Sequence, residues 1–400
     1  MGAKFGRCRD DIFRTATTKL LADQKSTTRA SFLSDVSAPD KVEGHKFGGT
    51  GDKRRHFSKS APFIPLLGGL LSLILTACGS AFNTQPVPTT TSTTVAASSG
   101  SGASTSGSSV STSSSLPVGN VATGLEQDLV NPSGMPPGSN NWSCVPSAQH
   151  PYPVILVHGT MGSEAFTWQA LSPMLTNAGY CVYAFDYGGN IGPFYGLGDV
   201  AASAQTLATF VTKVLASTGA GQVDIVGHSQ GGMMPRYYIQ DLAGASKVHM
   251  LVGIAPSNEG TTLDGIVSLG DDFSKLLGVP LVTGVTSQLP ASFGEQEQGS
   301  SFLTALNKGG GTSPGVSYVN IESKYDEVIT PYTNAFLPTA SNVQNITLQD
   351  DCATDFTEHI GIVYDPVTLG LVMNALGAND PNYKPPCSLV LPVIGSLGNI

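Results

Sequence analysis

A stretch of five residues, Gly227-His228-Ser229-Gln230-Gly231, has the pattern Gly-x-Ser-x-Gly. This pattern is typical of a sharp turn between a strand and a helix, which raises the serine hydroxyl above a sheet and makes it available as a nucleophile. The apolar run Val223–Val226 precedes the motif, and a helical stretch from Gly232 to about Leu242 follows it. The context therefore predicts that Ser229 is a catalytic nucleophile.

The same pattern occurs again at Gly311-Thr312-Ser313-Pro314-Gly315. Because the chain is rich in glycine and serine, chance alone gives on the order of one match, so the surroundings must decide. Ser313 lies in a Gly- and Pro-rich stretch, and Pro314 has no backbone N–H to donate to an oxyanion. These surroundings favour Ser229 over Ser313.

A nucleophilic serine needs a base, and the base needs a carboxylate that orients it. In chains with this serine motif the three residues follow one another in the order serine, acid, histidine. Two histidines follow Ser229. His249 lies within a strand-like run, where a packed strand residue is expected. His359 follows the last predicted strand, in a loop, and is therefore the predicted base.

Several acidic residues in predicted loops could orient this histidine. Asp326 is preferred because it follows the fifth predicted strand, and its loop can meet the loop after the last strand. Asp350 and Asp351 stand beside a cysteine and are expected to be loop or capping residues. The full set of candidates is Glu322, Asp326, Glu327, Asp350, Asp351 and Asp355.

Two backbone donors are needed to stabilise the oxyanion of an acyl-transfer reaction. The N–H of Gln230, which opens the helix after the serine, is the first candidate. The second is expected in the segment His158–Gly162 after the first strand, with Thr160 preferred because its N–H directly follows Gly159. The alternative for this segment is a plain turn.

The elements that must position these residues are alternating strands and helices. A helix face is predicted from Leu207 to Leu215, ending at Thr218-Gly219, and Asp365-Pro366 is predicted to open a late helix through about Ala375. Such alternation favours an α/β fold, mostly a parallel sheet with helices on both faces and the active site at the carboxyl ends of its strands. The predicted strands are Val154–Val157, Cys181–Phe185, Val223–Val226, Val248–Ile254, Val316–Ile321 and Val343–Leu348.

From about Asn141 to Cys387 the chain resembles the secreted class 2 lipases of actinobacteria, which have the α/β-hydrolase fold. The resemblance implies cofactor-free hydrolysis of carboxylic esters or triacylglycerols, and it supports Ser229, Asp326 and His359. Besides the region Val223–Tyr238, the matching blocks are Trp142–Cys144, Ala255–Asn258, Gly260–Thr262, Tyr325–Tyr332, His359–Gly361 and Tyr364–Pro366.

Two other interpretations remain open. An acyltransferase at the cell surface would use the same three residues and the same acyl-enzyme, with an alcohol in place of water. A non-catalytic binding protein could also use this fold, although the intact set of three residues speaks against it. The segment from about Leu263 to Leu303 is expected to be a lid or the wall of an acyl pocket, or else ordinary scaffold helices.

Charge excludes one class of partner. From Cys78 onward the chain has 7 basic and 22 acidic residues, a net charge of −15. Because a surface this acidic repels phosphate backbones, no nucleic-acid partner is expected. The expected partner is a lipid or ester substrate, without cofactor or metal, and the oligomeric state is not indicated.

The region before the hydrolase-like domain predicts export. The basic run 53–59 contains paired arginines that resemble a twin-arginine signal, and the uncharged stretch 61–77 resembles a signal-peptide core. Leu75-Thr76-Ala77-Cys78 resembles a lipoprotein box, so lipidation of Cys78 and attachment to the cell membrane are expected. An uncleaved anchor and ordinary cleavage are the alternatives.

The domain organisation follows from composition. Residues 1–52 fit no class and are expected to be disordered or a misassigned extension, and 53–77 form the export signal. Residues 78–118 are rich in Ser, Thr and Gly and predict a flexible tether. Residues 119–387 form the catalytic domain, and 388–400 form a tail.

Four cysteines fall within the predicted catalytic domain. In an exported protein an even number predicts two disulfides, for which three pairings are possible. The pairing of nearest neighbours, Cys144–Cys181 and Cys352–Cys387, is preferred. Buried reduced thiols are the alternative.

Overall fold

The computed structural model describes residues 115–189, 191, 193–277 and 290–392. The predicted export signal, Cys78 and nearly all of the predicted tether lie outside the described residues, as does the end of the predicted tail. Among the helices within the described ranges, none combines the length and the apolar character that crossing a membrane requires.

The core of the molecule is a parallel sheet of six strands in the order β2-β1-β3-β4-β5-β6. Each apolar run that was predicted to be a strand forms one of them. β1 reads Val-Ile-Leu-Val and is buried along its whole length, as expected for a strand covered on both faces. The strands are β1 Val154–Val157, β2 Val182–Ala184, β3 Val223–His228, β4 Val248–Ile254, β5 Ser317–Glu322 and β6 Val343–Thr347.

Helices join the strands and flank the sheet. α4 ends at Gly219, whose φ of 71° is a left-handed conformation that glycine adopts without steric cost. α10 begins after Asp365, whose carboxylate accepts the N–H of Thr368. The helices within the described ranges are α1 Val121–Val130, α2 Glu164–Thr167, α3 Leu171–Asn177, α4 Val200–Thr218, α5 Gln230–Asp241, α6 Leu263–Leu277, α7 Ala291–Glu295, α8 Ser301–Leu306, α9 Leu348–Asp351 and α10 Pro366–Leu376.

Two apolar cores form, one on each face of the sheet. Because successive side chains of a strand point to opposite faces, Val154 and Leu156 of β1 enter one core and Ile155 and Val157 enter the other. The first core contains side chains of α3, α6 and α10, and the second contains side chains of α4, α5 and α8. Helices therefore cover both faces, and the architecture is the predicted α/β-hydrolase fold.

The packed part of the chain extends slightly beyond the predicted bounds 119–387. At its start, the Asn177 side chain hydrogen-bonds the backbone of Leu116, with its Oδ1 2.8 Å from the backbone nitrogen. At its end, Val390 is buried and forms a backbone bridge with Asp355. Short segments with low apolar content can therefore be ordered by docking onto a finished domain.

Two disulfides close the domain at opposite ends, and they are the predicted pairs. Cys144–Cys181 fastens the segment before β1 to the residue that precedes β2. Cys352–Cys387 ties the C-terminal segment to the loop that leads from α9 to His359. Both crosslinks restrict the unfolded chain over similar lengths, with sequence separations of 37 and 35 residues.

Replacing Cys352 and Cys387 together by serine is expected to lower the free energy of unfolding by about 3–4 kcal/mol, because the unfolded chain regains loop entropy. Urea unfolding of the oxidised protein and the double variant measures the difference. The double serine variant of Cys144 and Cys181 is measured for comparison, because the disulfide that it removes closes a loop of almost equal length. A loss below about 1 kcal/mol at Cys352 and Cys387 would contradict this prediction.

Candidate active site

Ser229 occupies a strained turn between β3 and α5. Its φ is +54° and its ψ is −123°, a conformation that a residue with a side chain rarely adopts. The glycines on either side make the turn possible. A Cβ on Gly227 would collide with the carbonyl oxygen of Gly231, and a Cβ on Gly231 would collide with that of Val157. The motif therefore has the geometry of a turn that presents a nucleophile.

Asp326 and His359 contact each other at the carboxyl ends of the strands, where Ser229 also lies. Asp326 lies in the loop after β5, and its Oδ2 is 2.6 Å from Nδ1 of His359. The other oxygen, Oδ1, accepts the backbone N–H groups of Val328 and Ile329 at 2.8 and 2.7 Å. Because a carboxylate only accepts, Nδ1 of His359 donates this hydrogen bond, and in the neutral ring Nε2 is the nitrogen that could accept a proton.

No hydrogen bond joins Ser229 to His359 in this structure. Nε2 of His359 is buried and makes no hydrogen bond to a described residue, Ser229 included. His228 nevertheless links the two segments. Its Nε2 is 2.9 Å from the carbonyl oxygen of His359, and the two rings are 4.8 Å apart. Catalytic hydrogen bonds of this kind commonly tighten only when substrate is bound.

Burial favours the neutral form of two acidic residues near Asp326. Burial first, and the nearby Asp326 second, raise the pKa of Glu322 well above its ordinary value. Burial, followed by a hydrogen bond with Asp272, raises the pKa of Glu327 to about 9. At neutral pH Glu327 is therefore protonated and adds no negative charge beside Asp326, and burial favours the protonated form of Glu322 as well.

The other acidic candidates lie elsewhere. Asp350 pairs with Lys324 at 2.6 Å, Asp351 pairs with Lys384, and Asp355 accepts the backbone N–H of Thr357. Asp326 is the candidate whose carboxylate contacts His359. Within the described ranges, no group of three or more His, Cys, Asp or Glu side chains is arranged to hold a metal ion.

His249 and Ser313, the alternatives to His359 and Ser229, make structural contacts. His249 lies at the start of β4, at the end of the sheet opposite Ser229, where its Nδ1 is 2.8 Å from Asp224 and its ring stacks on Tyr152. Ser313 lies in a loop, and its backbone N–H donates to the hydroxyl of Tyr318. Neither residue reaches the Asp326–His359 pair.

The loop that was predicted to carry an oxyanion donor runs directly past Ser229. A Cβ built on Gly159 would lie only 2.9 Å from Cβ of Ser229, so only glycine permits this approach. Thr160 follows and lines the same cavity as Ser229. Gln230 is the first residue of α5, where a backbone N–H has no acceptor within the helix. Both N–H groups are thus carried by segments that adjoin Ser229.

Contacts that no motif indicates hold this loop in place. The Tyr187 hydroxyl donates to the carbonyl of His158 at 2.6 Å, and the Gln296 side chain donates to Oγ1 of Thr160 at 2.8 Å. Burial lowers the pKa of His158 to about 4, so its ring is neutral and stacks on Tyr187. Sequence reasoning missed Tyr187 and Gln296, because only the folded chain brings them to the loop.

Two mainly apolar cavities meet at Thr160 and Leu269. The first contains Ser229 and is lined by Ile266, Phe293 and Val328 among others. The second is lined by His228 and by further side chains of α2 and α6. The segment between β4 and β5 therefore supplies a pocket wall, as one of the sequence-based interpretations expected.

Sequence comparison finds relatives that match part of this chain. A triacylglycerol lipase of Pseudarthrobacter phenanthrenivorans is 37% identical over 91 residues, which is 22% of this chain and 27% of that protein. Lipase B of Pseudozyma antarctica is 27% identical over 216 residues, which is 52% of this chain and 57% of that protein. The chain thus spans between about a quarter and three-fifths of the length of these curated relatives.

Comparison with solved structures and with protein families adds two further results. Aspergillus fumigatus lipase B matches with a TM-score of 0.47 at 23% identity, covering 63% of this chain and 56% of that one. A mature Bacillus licheniformis lipase matches with a TM-score of 0.42 at 14% identity, covering 58% and 94%. The family model for lipase (class 2) matches residues 151–368, which is more than half of the 400 residues. The chain therefore belongs to the class 2 lipase family.

Proposed function

We propose that this protein hydrolyses carboxylic esters, including triacylglycerols, through Ser229, His359 and Asp326 and an acyl-enzyme intermediate. The observation that carries the proposal is the 2.6 Å contact between Asp326 and His359. It lies at the carboxyl ends of the strands, where Ser229 occupies its strained turn. Membership of the class 2 lipase family and two apolar cavities beside the serine support lipid-like esters as substrates.

In the proposed reaction, Oγ of Ser229 attacks the ester carbonyl carbon while Nε2 of His359 takes its proton. The N–H groups of Thr160 and Gln230 donate to the oxyanion. His359 then gives the proton to the oxygen of the leaving alcohol, and an acyl group remains on Ser229. A water molecule activated by His359 releases the acid and restores the serine. Asp326 holds the His359 ring throughout.

The proposal extends to location. An exported protein held at the membrane by a lipid on Cys78 fits the two disulfides, which persist in oxidising compartments. Detergent phase partitioning of the full chain and of its Cys78→Ser variant tests it. The parent should enter the detergent phase and the variant should remain in the aqueous phase. If both proteins stay in the aqueous phase, the protein is released without an anchor, and if both enter the detergent phase, an uncleaved anchor holds it.

Covalent labelling tests the proposed nucleophile. Diethyl p-nitrophenyl phosphate should release one p-nitrophenolate per enzyme molecule, abolish hydrolysis of p-nitrophenyl butyrate and leave a diethylphosphoryl group on the peptide that contains Ser229. The peptide that contains Ser313 is the internal control and should remain unmodified. Labelling of Ser313, or turnover of the ester by a protein that cannot be labelled, would overturn the assignment. Rates on butyrate and palmitate esters then distinguish an esterase from a lipase.

A further inference from the structure

The second cavity differs from the first in carrying a histidine that the proposed reaction does not use. Its walls are largely apolar and include Phe166, Phe273, Ile360 and Val363. The polar side chains that line it are two threonines and His228. A single imidazole in an apolar wall is a strong determinant of which substrate group can bind there, because an unpaired buried polar atom destabilises a complex.

The hydrogen bond that His228 makes determines which of its nitrogens carries the proton. Nε2 is 2.9 Å from the carbonyl oxygen of His359, and a carbonyl oxygen can only accept. Nε2 therefore carries the hydrogen. Burial, and next the neighbouring His359, lower the pKa of His228 well below its ordinary value, so the ring holds one proton. Nδ1 is consequently a bare acceptor that cannot donate.

This acceptor lies close to the reacting serine. The position of a Cβ built on Gly159 is 3.0 Å from Nδ1 of His228 and 2.9 Å from Cβ of Ser229. Two atoms that are both this near to one point are less than about 6 Å apart. A hydroxyl carried two carbons away from the scissile ester oxygen spans a distance of this order.

The lining residues favour placing the acyl part of the substrate in the first cavity and the alcohol part in the second. Ser229 lines the first cavity, which therefore suits the acyl chain that becomes attached to the serine. Ile360, the neighbour of His359, lines the second cavity together with His228. Because His359 must protonate the leaving oxygen, the alcohol part of the ester belongs on this side.

We infer that Nδ1 of His228 accepts a hydrogen bond from a free hydroxyl on the alcohol part of the substrate, so that the enzyme selects esters of polyols, such as partial glycerides, over esters of simple alkanols. The inference rests on the proposed function. An alkyl leaving group would leave Nδ1 buried and unpaired, whereas a hydroxyl beside the ester satisfies it. An ester carbonyl cannot replace the hydroxyl, because both it and Nδ1 are acceptors.

A matched pair of esters tests this selection. Propyl butyrate and 2-hydroxyethyl butyrate have the same number of heavy atoms and differ by a methyl group in place of a hydroxyl. The ratio of their kcat/KM values, divided by the ratio of their rates of alkaline hydrolysis, removes the intrinsic reactivity of each ester. The wild-type protein is expected to favour the hydroxyethyl ester by about three- to tenfold, the effect of one hydrogen bond. A corrected ratio near one overturns the inference.

Two variants test the roles of the two ring nitrogens of His228 separately. In His228→Gln, the amide can reach the position of Nε2 and donate to the carbonyl of His359, but no acceptor remains at Nδ1. The corrected ratio should fall to about one. In His228→Asn, the side-chain oxygen can take the place of Nδ1, so the preference should survive even if both rates fall.

The outcomes are distinguishable. A wild-type ratio retained in His228→Gln, or lost in His228→Asn, overturns the role of Nδ1. If both variants are too slow to measure, the corrected ratio of the wild-type protein decides by itself. A protein that hydrolyses neither ester overturns the proposed function, whereas one that hydrolyses both without preference overturns only this inference.

Discussion

Ser229→Ala is expected to lower kcat for p-nitrophenyl butyrate by about 10⁴-fold or more, since the substitution removes the nucleophile and leaves only oxyanion stabilisation and binding. The backbone should not change. Alanine keeps the Cβ that already tolerates the φ of +54° at this position, and the motif glycines still provide the space around it. The loss should therefore appear in catalysis and not in folding.

Initial rates, together with thermal unfolding, measure both effects. Ser313→Ala is the matched control, because Ser313 stands in the other Gly-x-Ser-x-Gly sequence and lies in a loop away from the Asp326–His359 pair. Ser313 is buried but lies away from that pair, so the variant's rate should stay within about twofold. If Ser229→Ala retains more than a tenth of the wild-type rate, the nucleophile is another residue.

Asp326→Asn is expected to lower kcat by about 10⁴-fold while the protein remains folded. Asparagine has the same shape, and its oxygen can still accept the N–H groups of Val328 and Ile329. Its amide nitrogen would then face Nδ1 of His359 as a donor. The ring must accept there, so its proton moves to Nε2, and the nitrogen that should take the serine proton is blocked.

Two neighbouring acids provide controls for this prediction. Glu327→Gln removes a carboxyl whose pKa is raised to about 9 and which is therefore already neutral at pH 7. Asp350→Asn breaks only an exposed ion pair with Lys324. Both should retain kcat within about threefold at pH 7. A large loss in Glu327→Gln with little loss in Asp326→Asn would assign the orienting acid to Glu327 instead.

The strands and the turn at Ser229 were predictable because their signals are local. A strand buried on both faces is mostly apolar, so the run that became β1, and the one that became β3 despite its Asp224, could be recognised without neighbours. The turn at Ser229 needs glycine at 227 and 231 because side chains there would collide with nearby backbone oxygens. Such requirements act over a few residues and therefore leave a pattern in the chain.

The acid and the supports of the oxyanion loop depended on contacts between distant parts of the chain. Its place after the fifth predicted strand made Asp326 the preferred acid, but only the folded loops bring its carboxylate to 2.6 Å from His359, 33 residues away. Tyr187 and Gln296 stabilise the loop that carries Thr160, and neither belongs to a motif.

The sequence by itself determined the order of the strands and helices and the position of Ser229, and it made the nearest-neighbour disulfide pairs the preferred ones. The tertiary structure decided which acid meets His359, where the two cavities lie and which nitrogen of His228 remains an acceptor. The physical reason is that strand burial and turn geometry limit the residue types at neighbouring positions. Hydrogen bonds between loops depend instead on where the whole sheet places the ends of its strands.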